Sequence, residues 1–86
     1  MKNELKEIKV IVRKDFAGLP IPSKILVLDD NEQAQYEVSR IIRRDNEIID
    51  GEATTIYTCL IQYNNKTKAC DIRYYHNSKK WYQRGN

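Results

Sequence analysis

The chain has 86 residues, 41% hydrophobic and 31% charged, which fits one soluble domain with a thin core. No apolar run is long enough to cross a bilayer, and "MKNELKEIKVIVRK" lacks the unbroken apolar stretch of a secretory signal. Membrane insertion is therefore not expected, a cytoplasmic location is, and Cys59 and Cys70 are expected to stay reduced.

The net charge of +3 is unevenly spread. Residues 1–28 carry six basic against three acidic side chains, residues 29–52 three against eight, and residues 53–86 six against one. Part of the surface is expected to be positive although the whole is only mildly basic.

The first element is a strand, "EIKVIVR", in which Ile8, Val10 and Val12 alternate with Lys9, Ile11 and Arg13. "FAGLPIPSK" reads as a connection. "KILVL" follows as a second strand, with both prolines just ahead of it, where they cost no ladder hydrogen bonds.

"DDNEQAQYEVSRIIRRDN" fits two templates. As a helix, Asp29 and Glu32 form a capping box, and Ala34, Val38, Ile41 and Ile42 fall at i, i+4, i+7 and i+8. As a strand, Tyr36, Val38 and Ile42 share one face at period two, and "DDNEQ" closes a hairpin. Periodicity does not separate the two.

"TTIYTCLIQYNNKTKACDIRYYHNSKKWYQR" reads as three strands with turns at Asn64-Asn65 and His76-Asn77-Ser78-Lys79. A two-residue loop at Asn64-Asn65 sets Cys59 opposite Cys70 and Tyr57 opposite Ile72; a four-residue loop at 64–67 sets Cys59 opposite Ile72 and Ile61 opposite Cys70, with the same faces in either register. A loop at Asn77-Ser78 sets Tyr74 opposite Trp81 and Arg73 opposite Tyr82. By parity, Tyr57, Cys59, Ile61, Tyr63, Cys70, Ile72, Tyr74 and Trp81 share an inner face. Thr58, Gln62, Thr67, Asp71, Arg73, Tyr75, Lys80, Tyr82 and Arg84 share the outer one, with Ile56 and Leu60 as apolar exceptions.

In these residues the chain resembles a group of short bacterial proteins without assigned function. That group shares, in order, a Y-E-[IV]-x-R-[VI] strand, a glycine-bearing loop, a Y-T-C-x-I strand and a closing W-[FY] pair. Here they correspond to "YEVSRII", Gly51, "IYTCLI" and "KWYQ", over roughly residues 20–83. The resemblance implies a compact β-rich fold, a strand at 35–43, and no particular activity. The longer "DDNEQAQ" loop and the glycine-poor "GEATT" depart from the pattern. "KILVLDDNE" also looks like the first strand and acidic pocket of a receiver domain, but the chain is too short and has no βα alternation.

The fold class expected is all-β, a five- to six-stranded antiparallel barrel over residues 1–86, SH3-like or OB-like. The alternative is α+β with one helix at about 31–44.

Catalysis is not expected. His76, the single histidine, falls in a turn and is expected to be solvated, and no nucleophile–base set or Gly-rich phosphate loop is present. Cys59 and Cys70 read as small core residues rather than a metal or redox pair. Asp29, Asp30 and Glu32 read as a hydrophilic loop rather than a cation site. No cofactor is expected.

The sharpest candidate is the outer face carrying Arg73, Tyr75, Lys80, Tyr82 and Arg84. Aromatic rings that stack on bases, beside cations that follow phosphates, are how small barrels hold single-stranded nucleic acid. The same face, edged by Ile56 and Leu60, also suits a protein partner or a homodimer.

Overall fold

The computed structural model describes residues 5–18, 20–29, 32–63 and 65–84. Asp30, Asn64 and the side chains of Asp29, Glu32 and Tyr63 lie outside the described residues, and with them the acidic loop, half of the first turn and one expected core position. The described residues form β1 (Leu5–Lys14), β2 (Pro20–Asp29), β3 (Glu32–Ile49), β4 (Glu52–Tyr63), β5 (Lys66–Tyr75) and β6 (Lys80–Arg84). Each strand pairs antiparallel with its neighbours in sequence, and β6 pairs back onto β1, so the sheet closes as an up-and-down barrel. The expected all-β barrel is the fold, and no helix occurs among the described residues.

The helix alternative at 31–44 is replaced by one long strand. Along β3, Val38 faces Ile61, Arg40 faces Leu60, Ile41 faces Cys59 and Arg43 faces Thr58. Ser39 and Ile42 are therefore extra residues, two bulges in one strand. The Ser39 hydroxyl donates to the Leu60 carbonyl at 3.1 Å. Each bulge shifts the inward–outward alternation by one, so Val38 and Ile41, three apart, both pack on the core. That spacing of three imitates helical periodicity. Ile42, which the helical pattern counts as apolar face, is 55% exposed.

The prolines also behave differently from expectation. β2 starts at Pro20 and includes both, with Pro20 facing Lys14 and Pro22 facing Val12 on β1. Proline has no N–H to give to a second neighbour. Pairing of β2 with β3 begins only at Lys24↔Glu37 and runs to Asp29↔Glu32. Among the described residues, positions 38–49 of β3 thus pair with β4 alone, and the β2–β3 ladder stops short of residues 20–23 of β2. Side chains bridge the gap. The Tyr57 hydroxyl donates to the Pro20 carbonyl at 2.6 Å, and Arg44 Nη1 lies 3.7 Å from Asp15 Oδ2.

Three turns converge at this end of the barrel. Asp50 (φ 50°) and Gly51 (φ 80°) form a two-residue left-handed turn between Ile49 and Glu52. A methyl group on Gly51 meets nothing within 4 Å, so Gly51→Ala is charged only for its backbone conformation. A loss of about 1 kcal/mol in urea denaturation is expected. The Glu52 carboxylate reaches across to the β5–β6 turn and accepts from the N–H groups of Asn77 (3.0 Å) and Ser78 (3.1 Å).

The core comprises Ile8, Ile25, Tyr57, Cys59, Ile61, Ile72 and Trp81, with Val10, Val27, Tyr36, Val38, Ile41, Cys70 and Tyr74 packed against it. Trp81 tilts against Tyr57 (centroids 5.5 Å) and Tyr74 (4.7 Å). The inner face follows the parity expectation, as do the registers Tyr74↔Trp81 and Arg73↔Tyr82, and of the two registers open at the first turn the two-residue one, Cys59↔Cys70, is formed.

Candidate functional site

The outer face of β5 and β6 is built in cross-strand rows. One row runs Glu47, Thr54, Tyr75, Lys80; the next runs Asp45, Ile56, Arg73, Tyr82, Glu7. Pairing therefore delivers acids from β3 and β1 onto the face that the local sequence makes basic.

Arg73 shows the consequence. Its Nη1 lies 3.2 Å from Glu47 Oε1, and its side chain is only 12% exposed. Arg43 Nε lies 2.6 Å from Asp45 Oδ2, and the Thr58 hydroxyl donates to Asp71 Oδ1 at 2.9 Å. Tyr75 and Tyr82 meet edge to face, centroids 5.2 Å apart, and both are half-buried. Lys80 and Arg84 are exposed. The five expected residues thus share one face, but they differ in state. Lys80 and Arg84 are accessible cations, the tyrosines are a half-covered pair, and Arg73 is held against a carboxylate. A shallow depression of about 280 Å³ lies beside them, lined by Arg43, Asp45, Ile56, Asp71, Arg73 and Arg84 among others.

Sequence reasoning missed a second site, at the barrel end where the turns converge. A cleft of about 650 Å³ is lined by Arg44, Asn46, Ile48, Thr55, Tyr57 and His76 among others. His76 starts the second turn, as expected, but its ring is not left in solvent. It packs edge-on against Tyr74 at 5.1 Å, and its Nε2 lies 2.7 Å from Thr55 Oγ1. The Thr55 hydroxyl donates to Asn46 Oδ1 at 2.9 Å. Thr55 Oγ1 therefore stands between Asn46 Oδ1 and His76 Nε2, and the direction of the His76 contact depends on the ring tautomer. The contact fastens the β3–β4 hairpin to the β5–β6 turn. The signal for this was long-range, since Thr55 and His76 are brought together only by the β4–β5 register.

Cys59 and Cys70 face each other as free thiols, Cys59 fully buried and Cys70 half-buried. Burial pushes both up, Cys59 to about 12, so both are protonated at neutral pH. Among the described residues, no group of three or more His, Cys, Asp or Glu side chains is placed to hold a metal ion. No helix among them is long and apolar enough to cross a membrane.

No family model, curated protein or solved structure matches the chain.

Proposed function

We propose that this barrel is a cytoplasmic protein-interaction module without catalytic chemistry, and that its working surface is the unzipped edge of β3. The observation that carries this reading is the open end of the β2–β3 seam, where positions 38–49 pair with β4 on one side and with no described strand on the other. Two large apolar side chains stand exposed there, Ile42 at 55% and Ile48 at 75%. An edge that still has hydrogen-bonding groups to offer, flanked by apolar side chains, is what an added strand requires. Affinity capture from native lysate, with and without nuclease, tests the reading. A protein retained after nuclease treatment, and lost with Ile48→Asp, is expected. Capture indifferent to Ile48→Asp would count against the edge.

A second reading is supported by the tyrosine pair. Along β6 Tyr82 stands between the exposed Lys80 and Arg84, and its ring partner Tyr75 faces Lys80 across the ladder, aromatic rings beside cations of the kind that hold single-stranded nucleic acid. Fluorescence anisotropy with a labelled single strand tests it. Tyr82→Ala is expected to weaken binding by about 1–3 kcal/mol. Replacing Lys80 and Arg84 by Gln is expected to flatten the salt dependence, by a slope of about 0.7 for each phosphate no longer neutralised. Binding that ignores both changes, or none at low salt, ends this reading.

A further inference from the structure

From the charge order along the open edge, and resting on the protein-interaction reading above, we infer that the occupant of β3 is a second copy of this chain, paired antiparallel through β3 about a twofold axis at Asp45.

The argument is one of register. In an antiparallel pair related by a twofold axis, the narrow and wide ladder pairs alternate, so the axis must pass through a residue that faces its own copy. In the regular stretch after the second bulge, three neighbouring registers differ in what they bring together. With Arg44 on the axis, Arg43 faces Asp45, but Arg44 meets its own copy, and Ile42 and Ile41 face Asn46 and Glu47. With Asn46 on the axis, Asp45 faces Glu47 twice, and Arg43 and Arg44 face isoleucines. With Asp45 on the axis, Arg43 faces the second copy's Glu47, and Glu47 faces its Arg43. Arg44 faces Asn46, and Ile42, at the bulge, comes beside Ile48.

The third register is self-complementary in charge, and it brings the exposed Ile42 and Ile48 to the ends of the paired stretch. Its single like-charge contact, Asp45 with Asp45, is softened because each Asp45 already holds Arg43 at 2.6 Å. Arg43 and Glu47 are both accessible for it, with side chains 72% and 54% exposed. A charged edge usually protects a strand against pairing with copies of itself. Here the charges and isoleucines are ordered so that one pairing is favoured and those one residue to either side are penalised.

The contact is short, so a weak, concentration-dependent dimer is expected rather than an obligate one. Sedimentation velocity on the full chain, from about 10 µM to about 1 mM, reads it directly. The expected result is a monomer–dimer equilibrium that weakens several-fold between about 0.05 M and about 0.5 M salt. Arg43→Glu alone and Glu47→Arg alone should each abolish the dimer. The double exchange should restore it, because the same cross-copy contact is remade with its charges swapped. Because Glu47 also holds Arg73, circular dichroism checks that each variant is folded. Amide hydrogen exchange provides a second readout without substitution, as protection within residues 43–47 that rises with concentration.

A strict monomer at about 1 mM overturns the proposal, and so does a dimer that survives both single reversals in folded protein. A monomer that still captures a different protein after nuclease, in a manner dependent on Ile48, removes the second copy but leaves the protein-interaction reading. A monomer that captures nothing removes both.

Discussion

Trp81→Ala is expected to remove most of the stability of this fold. The indole is 8% exposed, lies 4.7 Å from the Tyr74 ring and 5.5 Å from that of Tyr57, and faces Ile8 across the β1–β6 closure. Truncating a buried tryptophan costs about 3–5 kcal/mol, through lost transfer energy and the cavity left behind. A domain of this length has a total stability of roughly 4–13 kcal/mol. The melting temperature followed by far-ultraviolet circular dichroism should therefore fall by roughly 15–30 °C, or the variant should be unfolded outright. Trp81→Phe keeps a ring in place and should lose much less. A drop below about 1 kcal/mol for the alanine variant would mean that the closure does not depend on this side chain.

The second large effect is alkaline. A cysteine in the unfolded chain gives up its proton near pH 9.0, whereas Cys59, fully buried, holds its proton to about 12. Between those values unfolding releases a proton, so stability falls as pH rises. The slope is about 1.4 kcal/mol per pH unit, which accumulates to about 4 kcal/mol by pH 12. Below pH 9 both states are protonated and Cys59 contributes no pH dependence. Burial also raises Cys70, and it raises Tyr57 against the opposing effect of Arg44, so both act with the same sign. Melting temperature measured from about pH 8 to about pH 11 should fall, and Cys59→Ala should flatten the curve even though it lowers its starting point. An unchanged slope in Cys59→Ala would assign the alkaline loss to other groups. Ellman's reagent at about pH 8 should find Cys59 inert until the protein is unfolded.

The C-terminal half was legible because its alternation is unbroken. From Tyr57 to Arg84, inward and outward positions follow parity through two hairpins; the second turn gave its register directly, whereas at the first turn parity fixed the faces and left two registers open, of which the two-residue loop is the one formed. β3 was ambiguous for a physical reason. Its two bulges convert a period of two into local spacings of three, and a bulge has no sequence mark as clear as a turn's. The open seam did leave a mark, Pro20 and Pro22, but proline reads first as punctuation and only afterwards as the sign of a strand with one partner. The candidate face was half legible. Lys80 and Arg84 are accessible as expected, whereas the ion pair that occupies Arg73 comes from a residue 26 positions earlier. Local charge counts do not see such a partner. His76 was misjudged in the same way, since Thr55, its partner, lies 21 residues away.

The order of strands has a consequence for how the chain folds. Every pairing but one joins strands adjacent in sequence, so most of the sheet can grow hairpin by hairpin with little loop entropy to overcome. The exception joins Leu5 to Arg84 and Ile8 to Trp81, almost the full length of the chain. During synthesis the earlier hairpins can form as the chain emerges, yet Ile8 has no Trp81 to pack on until β6 has been made. Until then the outer edge of β1 stays open and the core lacks its largest side chain. Folding should therefore be a late, single closing event, with refolding slowed most by changes at Ile8 and Trp81.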